Sequence, residues 1–339
     1  MVERTQLTAS KEIQRRTGKT FHVATRVLPQ WMREATYVLY ALFRMADEVV
    51  DSTDGPPPEE QRAELERIRA AALGEAATDD PVLTAFCELR ERYGIPDEEV
   101  EVFIDAMAMD VEATDYETYA DLRTYLRGSS VAVGYMMLEL MDPPQAETAR
   151  PHAKALGEAF QLTNFLRDVR EDVLDYDRVY LPRETLERHD VARQEIERLS
   201  FSPRFADAMA DEMARTEDRY REGVAGIQYL PEDCQFGVVL AAVLYAEHHR
   251  RIRERGFDVL SERPTLTMTR RLTLAARTWL RWQVQRDPEA VFYAVGAIDP
   301  NPNDGSDEFG DGPSPESVTR PARKALDQLI SAVRPRLWG

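Results

Sequence analysis

Two stretches of this chain put paired acids on helices that are otherwise apolar. YVLYALFRMADEVVD, residues 37–51, carries Arg44, Asp47 and Asp51; AFQLTNFLRDVRED, residues 159–172, carries Gln161, Asn164, Arg167, Asp168 and Asp172. The two Asp of each pair are four residues apart, one helical turn, so both carboxylates leave one face. Around them stand Val38, Leu39, Leu42, Phe43 and Met45 in the first stretch, and Phe160, Leu162, Phe165, Leu166 and Val169 in the second. A helix apolar nearly all round is buried. Ionised carboxylates in a core are costly unless paired or bound to metal. Two such pairs facing each other make a cage for hard divalent cations, and a fold that brings them together needs an internal cavity.

The rest of the chain has helical period and no convincing alternating strand. The pattern predicts an all-α protein with helices near 8–16, 20–28, 30–51, 57–75, 80–92, 97–113, 118–140, 145–174, 203–225, 231–255, 268–284, 287–295 and 317–335. Breaks fall at Pro and Gly clusters such as 54–58, 94–96 and 142–144. No linker separates the acid motifs, so residues 1–298 are expected to form one domain. The stretch 299–316, rich in Asp, Gly and Pro, reads as a flexible acidic linker. Residues 317–339 read as a short amphipathic helix carrying Leu326, Leu329, Ile330 and Val333.

Charge narrows the function. Asp and Glu number 61 against 43 Lys and Arg, a net −18, and the only lysines are Lys11, Lys19, Lys154 and Lys324. Such a surface lacks the basic face a nucleic-acid binder needs. It suits a salt-loaded cytoplasm, where dense carboxylates stay hydrated and screened. Cys87 and Cys234 show no CxxC spacing and read as buried small hydrophobes. The N-terminus is polar and no run of 18 apolar residues occurs, so a cytoplasmic location is expected, with peripheral membrane contact where a lipid substrate requires it.

Magnesium takes oxygen ligands and commonly bridges one or two carboxylates to substrate phosphates. Asp47, Asp51, Asp168 and Asp172 fit that use, with Asn164 as a neutral oxygen ligand; Arg44, Arg167, Arg170 and Arg178 can clamp phosphate oxygens. A single DxxxD in so acidic a chain would be a solvated face, which is how Glu112, Asp115 and Asp121 read. His248 and His249 read as helix-surface residues. Ser129, Val133, Met137 and Met141 recur every four residues on one helical face. Ordinary core packing explains that stripe, and so does the wall of a long apolar tunnel, with Gly128 and Gly134 permitting close approach.

These residues resemble the squalene/phytoene synthase family, the head-to-head prenyl diphosphate synthases. YxxxRxxDxxxD at Tyr40–Asp51 and QxxNxxRDxxED at Gln161–Asp172 are similar to its two signature motifs. TGKTF at Thr17–Phe21, RVYLP at Arg178–Pro182 and the segment Tyr245–Arg263 resemble further elements of it, although the step from Asp172 to Arg178 is one residue longer than in many relatives. GSSVAVG at 128–134 is more like phytoene synthases of bacteria and archaea, and with the charge the chain looks most like a halophilic archaeal one. The resemblance implies a single-domain isoprenoid synthase bundle with a central cavity. It implies magnesium, or manganese in its place, on Asp47, Asp51, Asn164, Asp168 and Asp172. Thr17, Lys19, Thr20, Phe21, Arg44, Arg167, Arg178, Tyr245 and Arg263 would meet substrate diphosphates, with Ser129, Val133 and Met137 along the prenyl chain. Tyr40, Tyr125, Gln161 and Tyr180 would line the reacting centre. The implied reaction joins two geranylgeranyl diphosphates through a cyclopropyl diphosphate to phytoene, feeding downstream carotenoid enzymes. The alternatives are a squalene or dehydrosqualene synthase acting on farnesyl diphosphate, and a non-catalytic helical assembly protein of the same fold.

Overall fold

The computed structural model describes residues 24–51, 56–112 and 115–300. The described helices are α1 (Gln30–Val50), α2 (Pro58–Ala72), α3 (Pro81–Tyr93), α4 (Asp97–Met109), α5 (Tyr119–Leu126), α6 (Val133–Met141), α7 (Ala146–Tyr176), α8 (Arg183–Arg188), α9 (Arg193–Glu197), α10 (Pro203–Val224), α11 (Glu232–Glu254), α12 (Met268–Val284) and α13 (Pro288–Val295). Among the described residues, extended pairing is limited to a single parallel bridge between Asp115 and Val179. The expected helices 8–16 and 317–335, and nearly all of the acidic linker, lie outside the described residues. Of the expected helix 20–28 only the end, at residues 24–25, is described as helical.

Local chemistry sets most boundaries. Asp80 accepts from the Val82 and Leu83 amides ahead of Pro81, and Gly94 closes α3 in the left-handed conformation at φ 68°. Ser202 caps α10 by accepting from Phe205, again with Pro in the first turn. The short α8 and α9 were not legible in the sequence, because one or two turns carry too little periodicity.

One stripe of each long helix decides the architecture. On α1, Tyr40, Arg44, Asp47 and Asp51 recur at helical spacing, while Met32, Val38, Leu39, Leu42 and Ala46 are buried. On α7, Gln161, Asn164, Asp168 and Asp172 recur likewise, with Leu162, Phe165, Leu166 and Val169 buried. The buried faces of α1 to α6 form one apolar core, α10 to α13 a second with the middle of α7, and the C-terminal half of α7 a third with α8 to α10.

Between α5 and α6 the helix continues without a break, but residues Arg127–Ala132 are wound as a π-helix. Gly128 and Gly134 do permit close approach. A Cβ on Gly128 would lie 2.2 Å from the Val102 carbonyl, and one on Gly134 would lie 2.9 Å from that of Ala153.

His248 and His249 correct the sequence reading: both are buried rather than on a helix surface. Helices α7, α10, α12 and α13 all pack on α11, so little of it is left to solvent. His249 Nδ1 lies 3.1 Å from Glu217 Oε1 and its Nε2 lies 3.0 Å from Thr163 Oγ1. Cys234 is buried as expected, whereas Cys87 is only partly so.

Candidate active site

The two acid stripes line one cavity of about 1030 Å³. Tyr40, Arg44, Asp47 and Asp51 reach it from α1, and Gln161, Asn164, Arg167, Asp168 and Asp172 from α7. Tyr245 from α11 and Arg263 from the following loop complete the polar end. Thr17, Lys19, Thr20 and Phe21 lie outside the described residues.

Arginines hold the carboxylates. Arg167 grips Asp168 with Nε at 2.6 Å and Nη2 at 2.5 Å, while Arg263 Nε donates to the same Oδ1 at 2.8 Å. Arg263 also pairs with Glu171 at 2.7 Å. On α1, Arg44 stands 3.7 Å from Asp47 and 3.8 Å from Asp51, and its Nε meets the exposed Glu48 at 3.3 Å. Glu48 thus leaves the acid face, as its spacing requires.

Compensation is incomplete. Protein surrounds Asp47, which keeps 41% of its side chain open to the cavity it lines. That enclosure, then the Asp51 charge, pushes its carboxyl up to about 7. Burial and then Asp168 raise Asp172 well above the ordinary carboxylate range. Burial also raises Asp51, opposed by Arg178 and Arg44. Carboxylates that resist ionising alone are poised to gain from a cation.

Arg178 lines the same cavity but is anchored to the protein. Its side chain is only 8% exposed and donates to Asp51 Oδ1 at 3.2 Å, to the Val50 carbonyl at 2.9 Å and to the Asp110 carbonyl at 3.0 Å. It ties the end of α1 to the end of α4 and holds Asp51. Arg170 is likewise committed, donating to the Leu260 carbonyl at 2.6 Å.

Beyond the acids lies an aromatic centre. Tyr125, Tyr180 and Phe165 line the cavity; Phe165 and Tyr180 stack at 4.0 Å with planes 7° apart, and Tyr125 stands 5.6 Å from Tyr180. Both tyrosines are held well above their ordinary pKa, by burial and then by the charge of Asp110, so they stay neutral phenols. Further in, Ser129, Val133, Met137 and Met141 all line the cavity, so the stripe on 129–141 is a wall as well as core.

Asp110 and Arg271 are among the lining residues that escaped the sequence reading. Asp110 lies in MAMDVE, one acid among many, and no spacing marks it. Arg271 follows another Arg at the start of α12. Its Nε is buried without a hydrogen-bond partner, and burial together with the charge of Arg167 lowers its pKa. A guanidinium on the cavity wall near Arg167, whose Nε has no partner among the described residues, suits an anionic ligand.

Among the described residues, no group of three or more His, Cys, Asp or Glu is close enough to hold a metal by itself. What α1 and α7 each offer is a carboxylate pair, with Asn164 as a further oxygen donor. Oxygen-only donors, one or two carboxylates at a time, match a hard cation that completes its shell with water and phosphate. The residues present therefore fit magnesium-type sites shared with a substrate. Facing arginines, acid pairs and an apolar tunnel together suit an amphiphile with a polyanionic head.

Comparison with known proteins agrees. A family profile described as squalene/phytoene synthase matches residues 14–270. A phytoene synthase of Thermus thermophilus is 31% identical over 270 residues, 80% of this chain and 91% of that protein. One from Cereibacter sphaeroides is 29% identical over 281 residues, covering 80% and 79%. A solved dehydrosqualene synthase superposes with TM-score 0.75 at 24% identity, covering 83% of this chain and 98% of that one. This likeness shows the same all-helical isoprenoid synthase fold. With the profile spanning most of its length, the chain belongs to the squalene/phytoene synthase family.

Proposed function

We propose that this protein is a phytoene synthase, joining two geranylgeranyl diphosphates head to head. The observation that carries the reading is the convergence of the α1 and α7 acid stripes on one cavity that continues into an aromatic centre and an apolar wall. Curated relatives named phytoene synthase, at 28–31% identity over most of the chain, support it.

Arg44, Arg167, Arg263 and Arg271 bind the diphosphates and offset their charge as a carbon–oxygen bond breaks. Asp47, Asp51, Asn164, Asp168 and Asp172 would hold magnesium, which when bound would supply further neutralisation of the leaving diphosphate. Arg178 keeps Asp51 in place. Tyr125, Tyr180 and Phe165 present ring faces that attract an allylic cation, and Tyr40, Gln161 and Tyr245 frame the polar end. Val133, Met137 and Met141 hold the prenyl chain and exclude water, which would otherwise capture the cation. The second substrate's double bond adds to that cation and the adduct loses a proton as the ring closes to a cyclopropyl diphosphate; this releases its own diphosphate, rearranges and loses a second proton.

The test is mass identification of hydrocarbon made from geranylgeranyl and from farnesyl diphosphate, each with and without NADPH. A C40 triene from the former supports the reading. Turnover of farnesyl diphosphate alone moves the assignment to a dehydrosqualene synthase, or to a squalene synthase if NADPH is needed. Formation of neither hydrocarbon refutes it.

The net charge of −18 supports a salt-rich cytoplasm as the working environment. Among the described residues no helix is long and apolar enough to cross a membrane.

A further inference from the structure

Asp110 follows the end of α4, buried, with its two carboxylate oxygens given to two different phenols. Tyr125 Oη donates to Oδ2 at 2.6 Å and Tyr180 Oη donates to Oδ1 at 3.1 Å. Arg178 meets Asp110 through the backbone carbonyl, at 3.0 Å. All three side chains, Asp110, Tyr125 and Tyr180, line the cavity.

The arrangement has two consequences. Hydrogen bonds to a charged acceptor are strong; the Tyr125 bond at 2.6 Å is short and the Tyr180 bond at 3.1 Å is longer, and both orient a phenol by committing its proton to Asp110. A phenol that donates to an anion also gains electron density on its ring, the face that attracts a cation. A third phenol shows the contrast: Tyr116 packs 5.6 Å from Tyr125, yet its hydroxyl is buried without a partner and it does not line the cavity. The bonding to Asp110 thus selects the two rings that meet the ligand.

We infer that Asp110 is a positioning residue for the condensation, acting through the hydroxyls of Tyr125 and Tyr180 to hold two electron-rich ring faces at the reacting centre. The inference rests on the functional reading above. It differs from a purely structural tie between α4 and the Tyr180 segment because its effect depends on the phenol oxygens.

The experiment uses the full chain with geranylgeranyl diphosphate and magnesium, comparing wild type, Asp110→Asn, Asp110→Ala, Tyr125→Phe/Tyr180→Phe and the triple variant carrying Asp110→Ala. In Asp110→Ala, kcat should fall about 100-fold, while KM stays within about twofold. Water-captured prenyl alcohols should rise as a share of product. Asp110→Asn keeps the shape and one acceptor oxygen, and should recover part of kcat. On the Tyr125→Phe/Tyr180→Phe background, adding Asp110→Ala should change kcat by no more than about twofold, because the hydroxyls it acts through are gone. The inference is overturned if Asp110→Ala matches wild type in kcat and products, or if its full loss persists on the double-Phe background. Where Asp110→Ala does not fold, or the double-Phe protein is too slow to assay, Asp110→Asn decides: unchanged kcat and product split overturn the inference, and a lower kcat with more alcohol supports it. A wild type that converts no prenyl diphosphate overturns the functional reading itself, whereas an active wild type with an indifferent Asp110 overturns this inference alone.

Discussion

Arg263 Nε lies 2.8 Å from Asp168 Oδ1 although 95 residues separate them, and Arg167 holds the same carboxylate with two nitrogens. Asp168 is therefore neutralised within the protein, whereas Asp47 has only Arg44 at 3.7 Å and a like charge in Asp51 beside it. The two aspartates, assigned parallel work in the proposed reaction, start from opposite energetic positions.

The two Asn variants should separate function from stability. Asp47→Asn and Asp168→Asn should each lower kcat by about 1000-fold, the scale of losing one charge-stabilising group. Asp47→Asn should leave the melting temperature equal or higher, because it removes a charge the ligand-free site disfavours. Asp168→Asn leaves Arg167 without its charged partner and Arg263 with Glu171 alone, and should cost about 1–2 kcal/mol. Thermal unfolding of both beside wild type checks the contrast, and equal shifts would contradict it.

Metal and diphosphate should stabilise together. Among the described residues no three carboxylates gather by themselves, so magnesium alone should raise the melting temperature little. Magnesium with inorganic diphosphate should raise it by the equivalent of about 2.7 kcal/mol at 100 times the dissociation constant. EDTA should abolish turnover and magnesium restore it. A melting shift as large with metal alone would mean that the protein forms a complete site unaided.

Gly128→Ala tests the crossing of α4 with the 119–141 rod. Its Cβ would meet the Val102 carbonyl at 2.2 Å and Ala106 Cβ at 2.4 Å, neither able to swing aside. The expected loss is about 1–3 kcal/mol, read by urea unfolding. Gly94→Ala would be strained for a different reason, its φ of 68°.

Acid should weaken the fold through His248. Burial, then the charge of Arg167, holds its pKa well below 6.5. The native state keeps it neutral while the unfolded chain binds a proton, so its contribution is present above about 6.5 and is lost as pH falls. Asp110, pushed up to about 6 by burial, contributes the opposite slope, since the native state there binds a proton more readily than the unfolded chain. The difference between wild type and His248→Gln isolates the histidine: it should shrink or reverse between pH 7.5 and 5.5, a change scaled by about 1.4 kcal/mol per pH unit at most. A pH-independent difference would place the proton elsewhere.

Salt should stabilise. A net −18 implies self-repulsion that screening relieves. The melting temperature should rise from low salt to molar potassium chloride; indifference to salt would remove the argument for a salt-rich setting.

Much of this site was legible from spacing alone. Asp47/Asp51 and Asp168/Asp172 stood out because carboxylates at one-turn intervals conflict with apolar surroundings, and a conflict of that kind signals function. The wall at Ser129, Val133 and Met137 was visible as period, though period cannot tell a cavity lining from a core. Asp110 was invisible because its meaning comes from Tyr125 and Tyr180, 15 and 70 residues away. His248 and His249 were misjudged because the arginines that follow them suggest solvent, while the packing of four helices on α11 outweighs that local cue. Arg178 carried the expected residue type at the expected place, yet which way a guanidinium turns is decided by the carbonyls within its reach.

The π-wound turn at Arg127–Ala132 bears on how such a catalyst can change. An α-helix advances about 100° per residue, and a π-turn absorbs an added residue without breaking the rod. Tyr125 on one side of it and Met137 on the other both line the cavity. Loss of a single residue there would let the turn tighten to ordinary α geometry, whereas the same loss in either flanking helix would rotate the aromatic floor against the hydrocarbon sleeve by roughly a quarter turn. Backbone length can therefore be edited at this one point while both sets of side chains keep their aim.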